Sequence, residues 1–182
     1  MVENIYNELS SPDFEEIKPA ALAENAIKLI GYDWMLITAG EEQRYNTMTA
    51  SWGSMGMLWN KPVMFIFIRP QRYTYEFVEL EEKFTCSFFD EKYRSKLNFC
   101  GTYSGRDCNK VEEVNLTPMF SGDYISFEEA RIIMECRKIY YQDINPDCFV
   151  LPGIQKHYPD NDYHRMYIGE IISLKVKKEP QE

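Results

Sequence analysis

NTMTASWGSMGMLWNKPVMFIFIRPQRYTYEFVEL, residues Asn46–Leu80, decides the fold and sets three kinds of binding chemistry side by side. In an extended segment successive side chains point to opposite faces, so Thr47, Thr49 and Ser51 share one face and Met48, Ala50 and Trp52 the other. A glycine-bearing turn, Gly53–Gly56, follows. Val63–Ile68 is an apolar run of six residues, the length of a buried strand and too short for a membrane span. Proline cannot donate into a sheet ladder, so Arg69-Pro70 ends this strand and releases Gln71, Arg72, Tyr73 and Thr74 as a loop. Thr74 then suits the N-cap of a short helix, Tyr75–Leu80, with Glu76 and Glu79 in its first turns. Arg69 and Arg72 beside a capped helix start suit a phosphate, because guanidinium forks and unpaired backbone N–H groups both favour a dianion.

The same residues allow a plainer reading. Alternating Thr and Ser on a strand usually line the solvated side of a sheet, a tryptophan such as Trp52 is more often core than a stacking surface, and exposed arginines are common. Periodicity alone leaves both readings open.

Outward from this stretch the chain reads mostly as strands. Asn4–Lys18 is a polar, acidic arm that packs on the outside. Pro19–Ile30 reads as a short helix, with proline in its first turn, Leu22, Ala26, Leu29 and Ile30 at helical spacing, and Gly31 as its stop. Trp34–Ala39 is a strand, and Gly40–Tyr45 the hairpin turn into the hydroxyl-bearing strand. Downstream, Phe84–Phe89 alternates as a half-buried strand. Asp90 caps a helix that runs through Phe99 and closes at Gly101. Thr102–Lys110 (TYSGRDCNK) is a second glycine-bearing turn entering a short helix, where Ser104 offers a hydroxyl and Gly105 a backbone that a ligand can approach closely. A simple turn would use the same residues. In Ile125–Asp143, Ala130, Ile132, Met134 and Cys136 alternate with Arg131, Ile133, Glu135 and Arg137, as on a strand with one core face. Pro146–Pro159 is a loop or short helix, Tyr163–Val176 resumes alternation, and the tail, Lys177–Glu182, frays. Six or more strands joined mostly by short turns, with helices interposed, predict a mainly β chain, an antiparallel barrel with appended helices.

Composition narrows the function. At 182 residues the chain suits one domain, 1–182, with one core. A net charge of −9 argues against a nucleic-acid or anionic-membrane partner and leaves room only for a local basic pocket. The start, Met-Val-Glu-Asn, has neither a basic nor an apolar segment, so no signal peptide and a cytoplasmic protein are expected. Cys86, Cys100, Cys108, Cys136 and Cys148 are odd in number and lack C-x-x-C spacing, which fits reduced thiols. His157 and His164 lack a metal-binding spacing, so no metal is expected. No G-x-G-x-x-G follows a strand, and P-loop, nucleophile-elbow and paired-carboxylate patterns are missing, which leaves hydrolysis without an apparatus. A chain with this inventory would let a bound cofactor carry its chemistry.

The ordered set of segments resembles the flavin reductase-like family, FMN-binding split β-barrels that include flavoredoxin. Besides Asn46–Leu80, the segments DWMLITAG (Asp33–Gly40), GTYSGRDCNK (Gly101–Lys110), ECRKIYYQD (Glu135–Asp143) and DYHRMYIGEI (Asp162–Ile171) look like that family's, so the resemblance spans nearly the whole chain. The resemblance implies an FMN site drawn from Asn46, Thr47, Met48, Thr49, Ala50, Ser51 and Trp52, from Arg69, Gln71, Arg72 and Thr74, and from Ser104, Gly105 and Lys110. Within it, Arg69, Arg72 and the Thr74 helix start grip the phosphate, while Thr47, Thr49, Ala50 and Ser51 run along the isoalloxazine and ribityl chain. His164 matches the family's histidine and is expected near the face where a hydride donor docks. The resemblance also implies a homodimer and electron flow from NADH or NADPH, or from a reduced carrier protein, through FMN to a flavin or other acceptor. Two alternatives stay open, a flavoredoxin-like carrier without nicotinamide activity and a non-catalytic flavin-binding protein.

Overall fold

Short hairpins build most of the sheet in this computed structural model, which describes residues 13–178. In chain order the elements are β1 (Phe14–Glu16), a 3₁₀ turn at Pro19–Ala21, α1 (Ala26–Lys28) continuing into a wider π turn at Leu29–Asp33, β2 (Met35–Glu41), β3 (Arg44–Ala50), β4 (Gly53–Leu58) and β5 (Lys61–Ile68). Then come α2 (Tyr73–Leu80), β6 (Lys83–Phe88), a 3₁₀ turn at Glu91–Tyr93, α3 (Arg94–Thr102), α4 (Lys110–Glu113), β7 (Pro118–Ser121) and β8 (Tyr124–Phe127). Last come β9 (Ile132–Asp143), 3₁₀ turns at Pro146–Cys148 and Ile154–His157, and β10 (Arg165–Lys177).

The main sheet runs β3-β2-β6-β9-β10-β5-β4 with every pair antiparallel, and β7 and β8 form a separate hairpin. β10 holds it together. It pairs with β9 along most of its length, with β5 over Arg165–Glu170, and with β1 over Lys175–Lys177. Register shifts at Ile168/Gly169 and Ile171/Ser173 bend β9 and β10, as extra residues in a ladder do. At Gly169 a Cβ would stand 2.5 Å from the Phe84 ring, so only glycine lets the bent strand lie this close. The result is a mainly β split barrel with appended helices.

Two apolar clusters hold it. Met35, Ile37, Met64, Ile66, Phe84, Phe88, Met134 and Tyr167 fill the barrel interior. On the opposite face of the sheet Leu36 and Ile133 meet Leu97 and Cys100 of α3 and Val111 of α4. Leu97 and Cys100, three residues apart on one helix face, dock α3 there.

Several expectations need correction. Gly53–Gly56 is not a turn but the first part of β4, because without a Cβ the Gly53 backbone can lie against the Phe65 carbonyl, 2.8 Å from where that atom would be. The turn falls at Trp59 and Asn60, with φ of 50° and 57°. The predicted helix Pro19–Ile30 is broken, because Asn25 Oδ1 accepts from the Ile27 and Lys28 amides and starts a new helix there. Gly31 does not stop it; the chain leaves the helix at Trp34, with φ of 68°. Asp90 makes no side-chain cap, and Gly101 lies inside α3, which continues to Thr102. Of the expected outer arm, Phe14–Glu16 is a strand and Phe14 is buried; residues 4–12 lie outside the described residues, as does most of the tail expected to fray. Lys177 closes β10.

Candidate functional site

The end of β3, the loop from β5 into α2, and the loop from α3 to α4 converge on a cleft of about 460 Å³, within the range of roughly 300–1,000 Å³ common for small-molecule sites. Asn46, Met48, Thr49, Ala50, Ser51 and Trp52 line one wall, and Arg69, Gln71, Arg72 and Thr74 the second. Ser104, Gly105, Lys110 and His164 complete it. Of the residues predicted for the site, Thr47 alone stays out of this cleft. Its buried hydroxyl accepts from Thr38 Oγ1 at 2.9 Å and donates to the Ile37 carbonyl at 3.3 Å, so it is spent inside the sheet. Thr49 lines the cleft, but its hydroxyl donates to the Leu97 carbonyl and ties β3 to α3. The hydroxyl-bearing face of β3 therefore looks toward α3.

The α2 start also differs from the expected one. The Arg72 amide donates to the Arg69 carbonyl at 3.0 Å, a turn that feeds Tyr73 directly into the helix, so Arg72 takes the N-cap position without a side-chain cap. Thr74 falls in the first turn, buried, and its hydroxyl oxygen accepts from Asn46 Nδ2 at 2.7 Å. The Tyr75 amide donates to the Arg72 carbonyl at 3.0 Å, while the Tyr73 and Thr74 amides lack intrahelical acceptors, as at any helix start. Across the cleft, Gly105 rests on Asn46, whose amide leaves no space for a Cβ. Arg106 pins that loop to α2 by pairing with Glu76 and by covering the Tyr73 ring at 4.7 Å.

The charges divide into two groups. Arg69 pairs with Asp162 at 2.7 Å and donates to the His157 carbonyl at 2.7 Å, and Gln71 donates to the same Asp162 oxygen. Burial acts to raise the Asp162 carboxyl, but hydrogen bonds from Gln71 and Arg69 outweigh it and hold it below the usual range. Arg72 instead donates to the Gly101 carbonyl at 2.8 Å, and Lys110, 4% exposed, donates to the Cys100 carbonyl at 3.0 Å. Among the described residues neither pairs with a carboxylate. Burial, and then Arg69, lower the Arg72 guanidinium; burial, with Arg72 adding to it, pushes the Lys110 ammonium down to about 8. A buried Lys110 and a half-buried Arg72 without a counter-anion among the described residues are costly, and an anionic ligand would offset the cost.

At the other end Trp52 is 45% exposed and its ring lies 5.1 Å from that of His164. His164 is buried, with Nδ1 2.9 Å from the Tyr158 hydroxyl. Burial first, then Arg69 and Arg72 against the opposing Asp162, lower its pKa to about 4, so the imidazole is neutral at pH 7.

Sequence reasoning missed Phe67, Tyr73, Thr102 and Tyr103, which also line the cleft. For Phe67 a signal existed: in β5 Met64, Ile66 and Ile68 are buried while Phe65 and Phe67 are only half-buried, the period-two pattern hidden inside an all-apolar run. Asp162 and Tyr158 behind the cleft had no such signal. Among the described residues no group of three or more side chains is arranged to hold a metal, and no helix is long and apolar enough to cross a membrane.

Comparison with known proteins now bears on this site. Residues 28–182 match the family model described as the Flavin reductase like domain. None of the curated proteins matches the chain. Among solved structures, the chain is similar to flavoredoxin of Desulfovibrio vulgaris (Miyazaki F), with 22% identity, a TM-score of 0.63 and coverage of 89% of this chain and 78% of that one. It is similar to an FMN-binding domain of a flavin reductases-like enzyme from Shewanella baltica OS155, with 18% identity, a TM-score of 0.66 and coverage of 91% and 78%. Nitrilotriacetate monooxygenase component B from Bacillus cereus is similar at 18% identity, with a TM-score of 0.64 and coverage of 91% and 83%. At these identities the likeness speaks for the fold.

Proposed function

The chain belongs to the flavin reductase-like family, and on that premise we propose that its cleft holds FMN and that it serves as an oxidoreductase between NAD(P)H, or a reduced carrier, and a flavin or other acceptor. The observation that carries this reading is the half-buried Arg72 and the buried Lys110, beside the cleft with no carboxylate partner among the described residues. They would hold the phosphate together with the Tyr73 and Thr74 amides at the start of α2 and the Ser104 hydroxyl, whose oxygen already accepts from the Arg106 amide and whose hydrogen is left for a ligand. Arg69, already neutralised by Asp162, would contribute less to the phosphate than Arg72 does. That leaves Ala50, Ser51, Trp52 and His164 for the flat, apolar and polar-edged part of the cofactor. When bound, FMN supplies the redox chemistry, taking up electrons and passing them on. The chain's own side chains bind, orient and shield.

The nicotinamide donor rests on family membership, and a flavoredoxin-like carrier would use the same cleft. Anaerobic addition of NADH or NADPH to the FMN-loaded protein separates the two. Bleaching of the flavin absorbance within seconds supports the reductase; an unbleached flavin that dithionite still reduces points to the carrier. A homodimer fits Met57, Trp59 and Tyr141, large apolar residues left 72%, 58% and 56% exposed on β4, its turn and β9. Sedimentation of the FMN-loaded protein as a monomer at micromolar concentration would contradict it.

A further inference from the structure

Tyr158 and His164 form a buried pair whose proton accounting has only one solution. Tyr158 is 6% exposed, and its hydroxyl makes one hydrogen bond, to His164 Nδ1 at 2.9 Å. If Nδ1 carried the proton and donated to the phenol oxygen, the phenol's own hydrogen would be buried without an acceptor among the described residues. If the phenol donates, every group is satisfied. Nδ1 then accepts, and the neutral ring carries its proton on Nε2. Among the described residues that atom has no partner, yet it is not among the enclosed polar atoms without one, and His164 lines the cleft, so Nε2 opens onto the ligand's space.

We propose that Tyr158 is a positioning residue that fixes His164 in the Nε2–H tautomer, so that the cleft presents one N–H donor to a carbonyl oxygen or ring nitrogen of its ligand. The Trp52 ring, 5.1 Å from the imidazole, and the rings of Phe149 and Tyr163, 6.2 Å and 4.9 Å from Tyr158, hold the pair in place. The ionisable groups around it are Arg69, Asp162 and Arg72, and together with burial they keep the ring uncharged at neutral pH. The ligand side of this inference rests on the reading of the cleft as a flavin site; the tautomer does not.

The test is long-range ¹H–¹⁵N correlation on the full chain labelled in histidine, which has only two such residues, with His157→Gln used to assign the signals. At pH 7 the native protein should show His164 in the Nε2–H form, favoured at least about tenfold, as one satisfied buried hydrogen bond allows. Tyr158→Phe should bring that ratio to within about threefold. A native Nδ1–H ring, or a Tyr158→Phe protein that keeps a single Nε2–H form, would overturn the proposal. Added FMN should shift the Nε2 resonance without changing the tautomer; saturation with FMN that leaves it unmoved would overturn the ligand contact. Should fluorescence titration show no FMN binding, the flavin reading fails, and the tautomer measurement still decides the role of Tyr158.

Discussion

Arg165 and the pair Arg72 and Lys110 are partly or largely buried cations of one acidic chain, treated in opposite ways. Arg165 reaches Asp143 with two nitrogens, at 2.6 and 2.8 Å, and Glu79 with a third at 2.8 Å, and its guanidinium lies between the rings of Tyr75 and Tyr141. Those partners, hydrogen bonding to Asp143 above all, hold its pKa above the ordinary value. Among the described residues Arg72 and Lys110 donate to carbonyl oxygens only, and their pKa values move down. The first region is complete as folded. Among the described residues the second has no anion to balance its charge, the pattern expected of a binding site rather than of a structural ion-pair network.

The sharpest way to break this contrast is to remove the uncompensated charge. The double variant Arg72→Ala, Lys110→Met should weaken FMN at least about a hundredfold, since each charge-assisted hydrogen bond is worth about 1.5–3 kcal/mol, and should change riboflavin affinity by less than about threefold. Equal loss for both ligands in fluorescence titrations would indicate a damaged fold and remove the contrast.

His164 sharpens the comparison from the acid side. Its folded pKa of about 4 lies below the ordinary histidine value of 6.5, so between those values the unfolded chain takes up a proton that the folded one refuses. Stability from this group is present above pH 6.5 and lost as pH falls toward 4. His164→Gln should therefore lose about 2 kcal/mol less than the native protein between pH 7 and 4.5, read by denaturant unfolding. Parallel pH profiles would contradict the neutral, cation-flanked histidine.

At the compensated region, Arg165→Met strands Glu79 and Asp143. Arg165 keeps 20% side-chain exposure and Asp143 60%, so solvent screens part of the loss. The expected cost is about 1–2 kcal/mol, a fall in Tm of about 2–8 °C, with the preference for FMN over riboflavin intact. Collapse of that preference would show that the regions are coupled.

Smallest is the effect of Lys110→Met on the ligand-free protein. The lysine's folded pKa of about 8 lies below the ordinary lysine value of 10.5, so its burial cost is full below pH 8 and fades as pH rises toward 10.5. Net of the lost bond to the Cys100 carbonyl, the variant should be about 1 kcal/mol more stable at pH 7, and the advantage should vanish near pH 10. A variant less stable at both pH values would mean that the lysine is structural.

What the sequence made legible follows from range. Alternation is local, so the strands around Ile132–Arg137 and Arg165–Val176 and the hairpin at Glu41–Arg44 could be read, as could the loop carrying Arg69 and Arg72. The turn at Trp59-Asn60 could not, because glycines three residues apart at Gly53 and Gly56 give a stronger turn signal than a tryptophan with positive φ. Nor could the division between the two arginines. Arg69 is neutralised by Asp162, 93 residues away along the chain, and the burial of Lys110 depends on α3 docking through Leu97. The bonds of the Thr47 hydroxyl inside the sheet were hidden for a similar reason, since alternation gives the face of a strand but not what packs against it.

Whether the uncompensated cations await a phosphate can be tested without any mutation, by the paired affinities of the native protein for FMN and riboflavin. The two ligands share the ring and the ribityl chain and differ by the phosphate, so titration of flavin fluorescence against the protein isolates that group. The proposed phosphate site requires FMN to bind at least about tenfold tighter than riboflavin, the effect of one or more charge-assisted contacts. Equal affinities would place the phosphate in solvent and contradict it.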